Sequence, residues 1–219
     1  MSEERKPFQL SDCAKTVKGW VLFFAGLSVM AFGVAFSIRA DLGTSPISSL
    51  PYTMSVITPL TVGTATIVLH CVLIALQILL LRRKYELFQL LQLPVAIAFG
   101  YLTDVSIAVV SRIPLTGYAG QLLLCAVGIV LVGVGVWMEV HSHVITLAGE
   151  GLVLAVCRVT PIRFSTAKIL FDVSLVVLSC ILGLVFAGKI CGVREGTAAA
   201  ALCVGLVTRL IDRIVGKKK

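Results

Sequence analysis

The chain has 219 residues, of which 58% are hydrophobic and 14% charged, with a mean hydropathy of +1.03 and a formal net charge of +8. Soluble domains run at about 45–50% apolar and about 25% charged, so this composition excludes a soluble globular fold, and a disordered chain with it. The Lys and Arg residues gather at the ends of apolar runs and form no stripe interleaved with aromatics, which reads as membrane topology and not as nucleic-acid binding.

In chain order, residues 1–17 are polar and are expected to be a cytoplasmic tail, with residues 18–219 forming one membrane domain. Apolar runs follow at about 18–38, 62–81, 88–111, 118–140, 166–188 and 196–214. Each is near or above the ~20 residues that a spanning helix needs. Two further apolar segments, 45–58 and 149–160, are shorter and bounded by Gly, Pro, Thr or Ser. Fourteen residues of helix reach only ~21 Å, against a hydrocarbon core of ~30 Å. They are expected to be half-helices or re-entrant segments beside six full spans.

Charge selects the topology. With both short segments re-entrant and the N-terminus inside, the cytoplasmic set is Arg5, Lys6, Lys15, Lys18, Arg82, Arg83, Lys84, Arg158, Arg163, Lys168, Arg209, Arg213, Lys217, Lys218 and Lys219. Only Arg39, Arg112, Lys189 and Arg194 fall outside. The positive-inside rule then places both termini in the cytoplasm.

Sliding the chain by 102 residues against itself aligns uncommon residues. Gly26 meets Gly128, Gly33 meets Gly135, Thr44 meets Thr146, Thr58-Pro59 meets Thr160-Pro161, and Thr64-Ala65 meets Thr166-Ala167. The expected repeats are 18–112 and 120–214. Each holds a long span, a short segment and two long spans. Three crossings per unit turn the second copy upside down, the inverted-repeat plan of many secondary transporters. Aquaporin-like and formate-channel-like proteins also use inverted repeats with broken segments, so a channel remains an alternative.

The first break reads Arg39-Ala40-Asp41-Leu42-Gly43-Thr44-Ser45-Pro46. Thr44 or Ser45 can cap the next helix, Pro46 suits its first turn, and the free N–H groups there favour a polar or anionic ligand. The second break holds Thr146 and Glu150, the latter between Gly149 and Gly151 and in register with Ser48. A carboxylate near the bilayer interior costs several kcal/mol unless it is paired or wet, which marks it as functional by default. Lys168 and Asp172 stand one helical turn apart and can form an ion pair, structural or functional. Asp104 lies within the 88–111 run, and Arg194-Glu195 precede the last.

No metal site is expected. His141 and His143 lack a third ligand, and none of the seven cysteines forms a C-x-x-C. No nucleophile–base set, phosphate loop or dinucleotide fingerprint occurs, so neither enzymatic activity nor a cofactor is expected.

The stretches Ala40-Asp41-Leu42-Gly43-Thr44-Ser45-Pro46, Val62-Gly63-Thr64, Ala148-Gly149-Glu150-Gly151-Leu152 and Gly192-Val193-Arg194-Glu195-Gly196-Thr197 resemble the YczE-like family of bacterial integral membrane proteins, related to YitT-type proteins. The likeness runs from about residue 18 to 214. Many relatives follow Ser-Pro with an aromatic and an acidic residue, where Ile47 and Ser48 stand here. The resemblance implies a multi-pass protein of the bacterial cytoplasmic membrane, often described as a transporter or as of unknown function, and supplies no substrate.

The expectation is therefore an all-α membrane protein of six spans and two half-helices that carries a small polar or anionic solute. Its substrate site is expected at Asp41, Thr44, Ser45 and Ser48 of one copy and Thr146 and Glu150 of the other, with Lys168 and Asp172 nearby. Lipid surrounds it, and a homodimer is compatible with the sequence. A channel and a membrane-embedded accessory protein without transport are the rival readings.

Overall fold

The computed structural model describes residues 17–114 and 117–216. The polar stretch expected to be the cytoplasmic tail, Val17 apart, and Lys217, Lys218 and Lys219 lie outside the described residues. Eight α-helices and no strand are found among those described: α1 (Val17–Ala40), α2 (Pro46–Ile57), α3 (Val62–Leu81), α4 (Gln92–Val110), α5 (Gly117–Ser142), α6 (Ala148–Val159), α7 (Phe164–Ala187) and α8 (Glu195–Gly216). Two 3-10 turns, Arg82–Lys84 and Leu87–Leu91, join α3 to α4.

Five of these helices, α1, α3, α4, α5 and α7, are long and apolar enough to cross a membrane. The sixth expected span, α8, is 22 residues long but carries Glu195 in its first turn and Arg209, Asp212 and Arg213 near its end. Those charges separate it from the other five. The two short segments are 12-residue helices, too short to cross at ~1.5 Å per residue. Apolar side chains such as Leu79, Tyr101, Leu123, Ile169, Val185 and Leu202 lie exposed around the outside. A surface this apolar contacts the lipid bilayer, and the chain is a membrane protein.

Side-chain size decides how the central pair packs. Helices in lipid gain nothing from burying apolar area against one another, so small residues that let backbones approach supply the attraction. Gly26 and Gly33 of α1 lie on Gly135 and Gly128 of α5. A Cβ placed on Gly33 would stand 2.9 Å from the Gly128 carbonyl oxygen, and one on Gly128 would stand 2.9 Å from that of Gly33. Since 26 meets 135 and 33 meets 128, α1 and α5 run antiparallel. Phe23, Leu27, Met30 and Val34 of α1 extend this seam to Val95 and Phe99 of α4 and Val132 of α5.

α4 lies parallel to α1, with early residues beside early ones and the Arg39 guanidinium on the Ile113 carbonyl beyond the end of α4. α8 lies parallel to α5 in the same way, from Cys125 against Gly196 to Trp137 bonded to Asp212. α3 and α4 run antiparallel. Gly63 and Gly100 touch at one end, and Asp104 caps α3 there by accepting from Gly63 N–H (2.7 Å) and the Thr61 hydroxyl (2.6 Å).

Local geometry recurs at the 102-residue spacing. Asp41 and His143 both turn into the left-handed region, at φ 54° and 51°, which short polar residues tolerate best. The residues that open the short helices match, Ser45 at φ −59°, ψ 152° and Leu147 at −58°, 154°. So do those that close them, Thr58 at −131°, 164° and Thr160 at −128°, 154°. Each of these threonines bonds the carbonyl four residues back, at 2.6 and 2.7 Å.

The glycine seam generates a stability prediction. Gly33→Leu must push α1 off α5, and the expected loss is about 1–3 kcal/mol or more, as for overpacked cores. Gly205, whose added Cβ meets nothing within 4 Å, is the control. In thermal melting of the detergent-purified protein, Gly33→Leu should lower the midpoint by several degrees, and Gly205→Ala should leave it unchanged or raise it.

Candidate functional site

Two breaks in the helical ladder define the site. A helix that starts inside hydrocarbon exposes N–H groups without water to take them, so other parts of the chain must bond them or a ligand must.

At the second break the answer comes from α5 and α3. Glu139, 4% exposed, reaches past the break and accepts the Leu147 N–H at 2.9 Å. Gln77 of α3 donates its amide to the Ala148 carbonyl at 3.1 Å and to the Gln92 side chain at 3.1 Å. Gly151 admits both amides: an added Cβ would stand 2.8 Å from Gln77 Oε1 and 2.8 Å from Gln92 Nε2.

At the first break the answer comes from α7 and the loop before α8. Ser179, in register with Gln77, shares a 2.7 Å bond with the Thr53 hydroxyl, and its oxygen lies 3.2 Å from the Ser49 carbonyl oxygen. Thr53 also donates to the Cys191 carbonyl at 2.9 Å. The Thr44 N–H bonds the Gly192 carbonyl at 3.0 Å, and Gly196 N–H bonds that of Leu42 at 2.7 Å. The two motifs 40–46 and 192–197, remote in sequence, are thus one structural unit. Gly43 is needed in it: at φ 98°, an added Cβ would also meet the Thr197 hydroxyl and the Arg194 backbone.

The opening turns of α2 and α6 touch. Ile47 Cδ1 lies where a Cβ of Gly149 would be, with the Phe171 ring beside it. Lys168 and Asp172 form a 2.8 Å ion pair on α7, with the Lys168 ammonium 5.7 Å from the Phe171 ring centre. Glu150 lies within electrostatic reach of Lys168, Asp172 and Glu139. Four ionisable side chains from α5, α6 and α7 therefore lie on the same side of the meeting point.

The expected site residues divide. Glu150, Lys168 and Asp172 come together. Ser45 and Ser48 stand on the facing turn of α2, but the Ser45 hydroxyl donates to Ser48 (2.9 Å) and makes no side-chain cap, which corrects the expected capping role. Thr146 is half-buried, one residue before the opening of α6. Thr44 is taken up by the Gly192 loop, and Asp41 is exposed at the outer edge of that unit. Asp104, capping α3, and Arg194, donating to the Asp41 carbonyl at 2.8 Å and the Glu195 carboxylate at 3.2 Å, stand apart from the region. Arg158 pairs with Glu86 at 3.7 Å and leaves Glu150 to other partners.

Glu139, Gln77 and Gln92 were not among the expected residues. Glu139 had a signal, being a lone carboxylate in an apolar run. The glutamines had none of comparable strength.

Glu139 supplies a prediction. Glu139→Leu leaves the Leu147 N–H without an acceptor, at a cost of about 1–3 kcal/mol, whereas Glu139→Gln retains one. Melting should place the Leu variant well below wild type and the Gln variant close to it. Equal melting of the two would remove the capping role.

Comparison with known proteins points the same way as the motifs. The "Uncharacterized membrane protein YczE" of Bacillus subtilis (strain 168) is 29% identical over 124 residues, covering 56% of this chain and 55% of that protein, so the match spans about half of that relative. An "Uncharacterized protein" of Haemophilus influenzae is 26% identical over 197 residues, covering 90% of this chain and 84% of the relative. The "Uncharacterized protein YyaS" of Bacillus subtilis is 27% identical over 173 residues, 78% and 82% of the two chains. No solved structure matches. The resemblance to YczE-like proteins holds, and residues 17–213 match the model of DUF6198, a family of unknown function, to which the chain belongs.

Proposed function

We propose that this protein is a secondary transporter of a small polar or anionic solute, built from two inverted repeats with six crossings. The observation that carries the reading is the meeting of the α2 and α6 opening turns, Ile47 on Gly149, beside Glu150, Lys168 and Asp172. Discontinuous helices whose N-terminal ends converge on a site are the working parts of many such carriers.

Packing supports the inverted repeat. α1 and α5 are register mates and run antiparallel, so if one crosses outward the other crosses inward. The pairing of α2 with α7 is matched by that of α6 with α3, and α1 with α4 by α5 with α8. α8 stands along α5 as α4 stands along α1, which favours α8 as the sixth crossing. The basic residues favour both termini, and residues 82–84, in the cytoplasm.

Alternating access is supported by a difference between the two ends. At one end, Ala35 and Arg39 face Ile107 and Ser111 across an open cavity. Their register mates at the other end are Trp137 and His141. These stack with ring centres 4.4 Å apart, and Asp212 pins both, at 2.6 Å to the indole and 3.2 Å to the imidazole. An opening at one end and a filled counterpart at the other is what one state of a two-state carrier presents. The charged cluster gives this carrier a group that can bind or release a proton as it moves.

The test is uptake into vesicles reconstituted with the purified protein, using labelled amino acids and small carboxylates. Saturable uptake of at least one of them is expected, and Glu150→Gln should abolish it while melting and expression stay near wild type. Normal uptake by that variant would pass the role to Lys168–Asp172. Flux that never saturates would make the protein a channel, and no flux of any solute would favour an accessory role.

A further inference from the structure

A cavity of about 340 Å³ lies between α1, α2, α4 and α5, away from the charged cluster described above. It is within the ~300–1,000 Å³ typical of small-molecule sites. Its charged lining is Arg39 and Asp41, its neutral polar lining Tyr52, Ser111 and Gln121, and its apolar wall includes Ile38 and Ile107.

Neither side chain has an ion-pair partner among the described residues. The Arg39 guanidinium donates through Nε (3.0 Å) and Nη2 (2.7 Å) to one acceptor, the Ile113 backbone carbonyl, which carries no formal charge. Those two bonds fix the plane of the guanidinium and leave Nη1 without a partner among the described residues. No ion pair joins Asp41 to any base among the described residues, since Arg194 takes the Asp41 backbone carbonyl and gives its other side to Glu195. Asp41 is held at φ 54°, two residues past Arg39 and just beyond the end of α1, where the chain has left the helix. The two side chains line one cavity without closing on each other.

A simple anion in this space would satisfy Arg39 and be repelled by Asp41, and a simple cation would do the reverse. A solute with a carboxylate and an ammonium group on one small frame satisfies both. We infer that this cavity is a binding site for an α-amino acid, with the solute carboxylate on Arg39 and its ammonium on Asp41, and with Tyr52 and the apolar wall receiving the side chain. The inference concerns binding alone and stands whether or not the protein transports what it binds.

The experiment is thermal melting of the purified full-length protein with each of the twenty common L-amino acids, at constant ionic strength. Each amino acid that acts is compared with its two half-ligands. For alanine these are propionate, lacking the amine, and ethylamine, lacking the carboxylate. A ligand bound only by the folded state raises the midpoint in a concentration-dependent, saturable way. At least one amino acid is expected to do so, and its half-ligands are expected not to at equal concentration. Arg39→Gln and Asp41→Asn should each weaken apparent binding at least tenfold. Arg39 also ties α1 to the end of α4, and Arg39→Gln removes that tie; Asp41→Asn, which removes no side-chain hydrogen bond among the described residues, decides the point if the Arg39 variant fails to fold. A shift that survives Asp41→Asn, a half-ligand as effective as the whole amino acid, or no shift from any of the twenty would overturn the assignment. Binding without uptake would leave it standing and fail the carrier reading instead.

Discussion

Breaking a helix inside hydrocarbon frees N–H and C=O groups that no water can reach, and the structure is organised around satisfying two such breaks. A 12-residue helix cannot carry these groups out to the interface, so neighbouring elements must reach in to them. Glu139 accepts the Leu147 N–H ahead of α6 and the Gly192 carbonyl accepts the Thr44 N–H ahead of α2, while Gln77 and Ser179 reach carbonyls in the first turns of α6 and α2. The placement of α3, α5 and α7 around the centre follows from that requirement. The close glycine seam of α1 and α5 brings the two breaks near enough to touch.

The two breaks are not solved alike, and the difference bears on function. The second is lined by a carboxyl and two amides, and Lys168, Asp172 and Glu150 stand beside it. The first is stitched shut by hydroxyls and backbone. Charges within a membrane domain are costly and are retained where they pair, line water or do work. Glu139, Glu150, Lys168 and Asp172 all belong to the second copy, whereas the first break is closed without a carboxyl side chain. The ends differ too: Ala35 leaves room that its mate Trp137 fills.

Much of this was legible in the sequence. The short segments fell within one residue of the observed α2 and α6, because Gly, Pro and Thr punctuate them and ~30 Å of hydrocarbon excludes them as spans. The 102-residue register, read from Gly and Thr matches, reappears in backbone angles at Asp41 and His143 and at both helix ends. Other features were hidden. That Thr44 belongs to the Gly192 loop depends on a contact 148 residues apart, and that Ser45 turns to Ser48 instead of capping is a choice between two local bonds that spacing does not decide. Gln77 and Gln92 lie within apolar runs and carry no motif, and their burial follows from contacts with each other, the Ala148 carbonyl and Gly151. The last helix looked like a sixth span from its apolar stretch, while its role beside Trp137 and His141 depends on the charge at Asp212.

The central claim is that the two halves are related by inversion across the bilayer. Glu86 and Lys189 are exposed and follow the register-mated helices α3 and α7. With native cysteines replaced, Glu86→Cys and Lys189→Cys can each be challenged with a membrane-impermeant maleimide in intact and in permeabilised cells. Inversion predicts labelling of position 189 in intact cells and of position 86 only after permeabilisation. Labelling of both from the same face would contradict the account, because α3 and α7 would then cross in the same direction and the two breaks would not open toward each other.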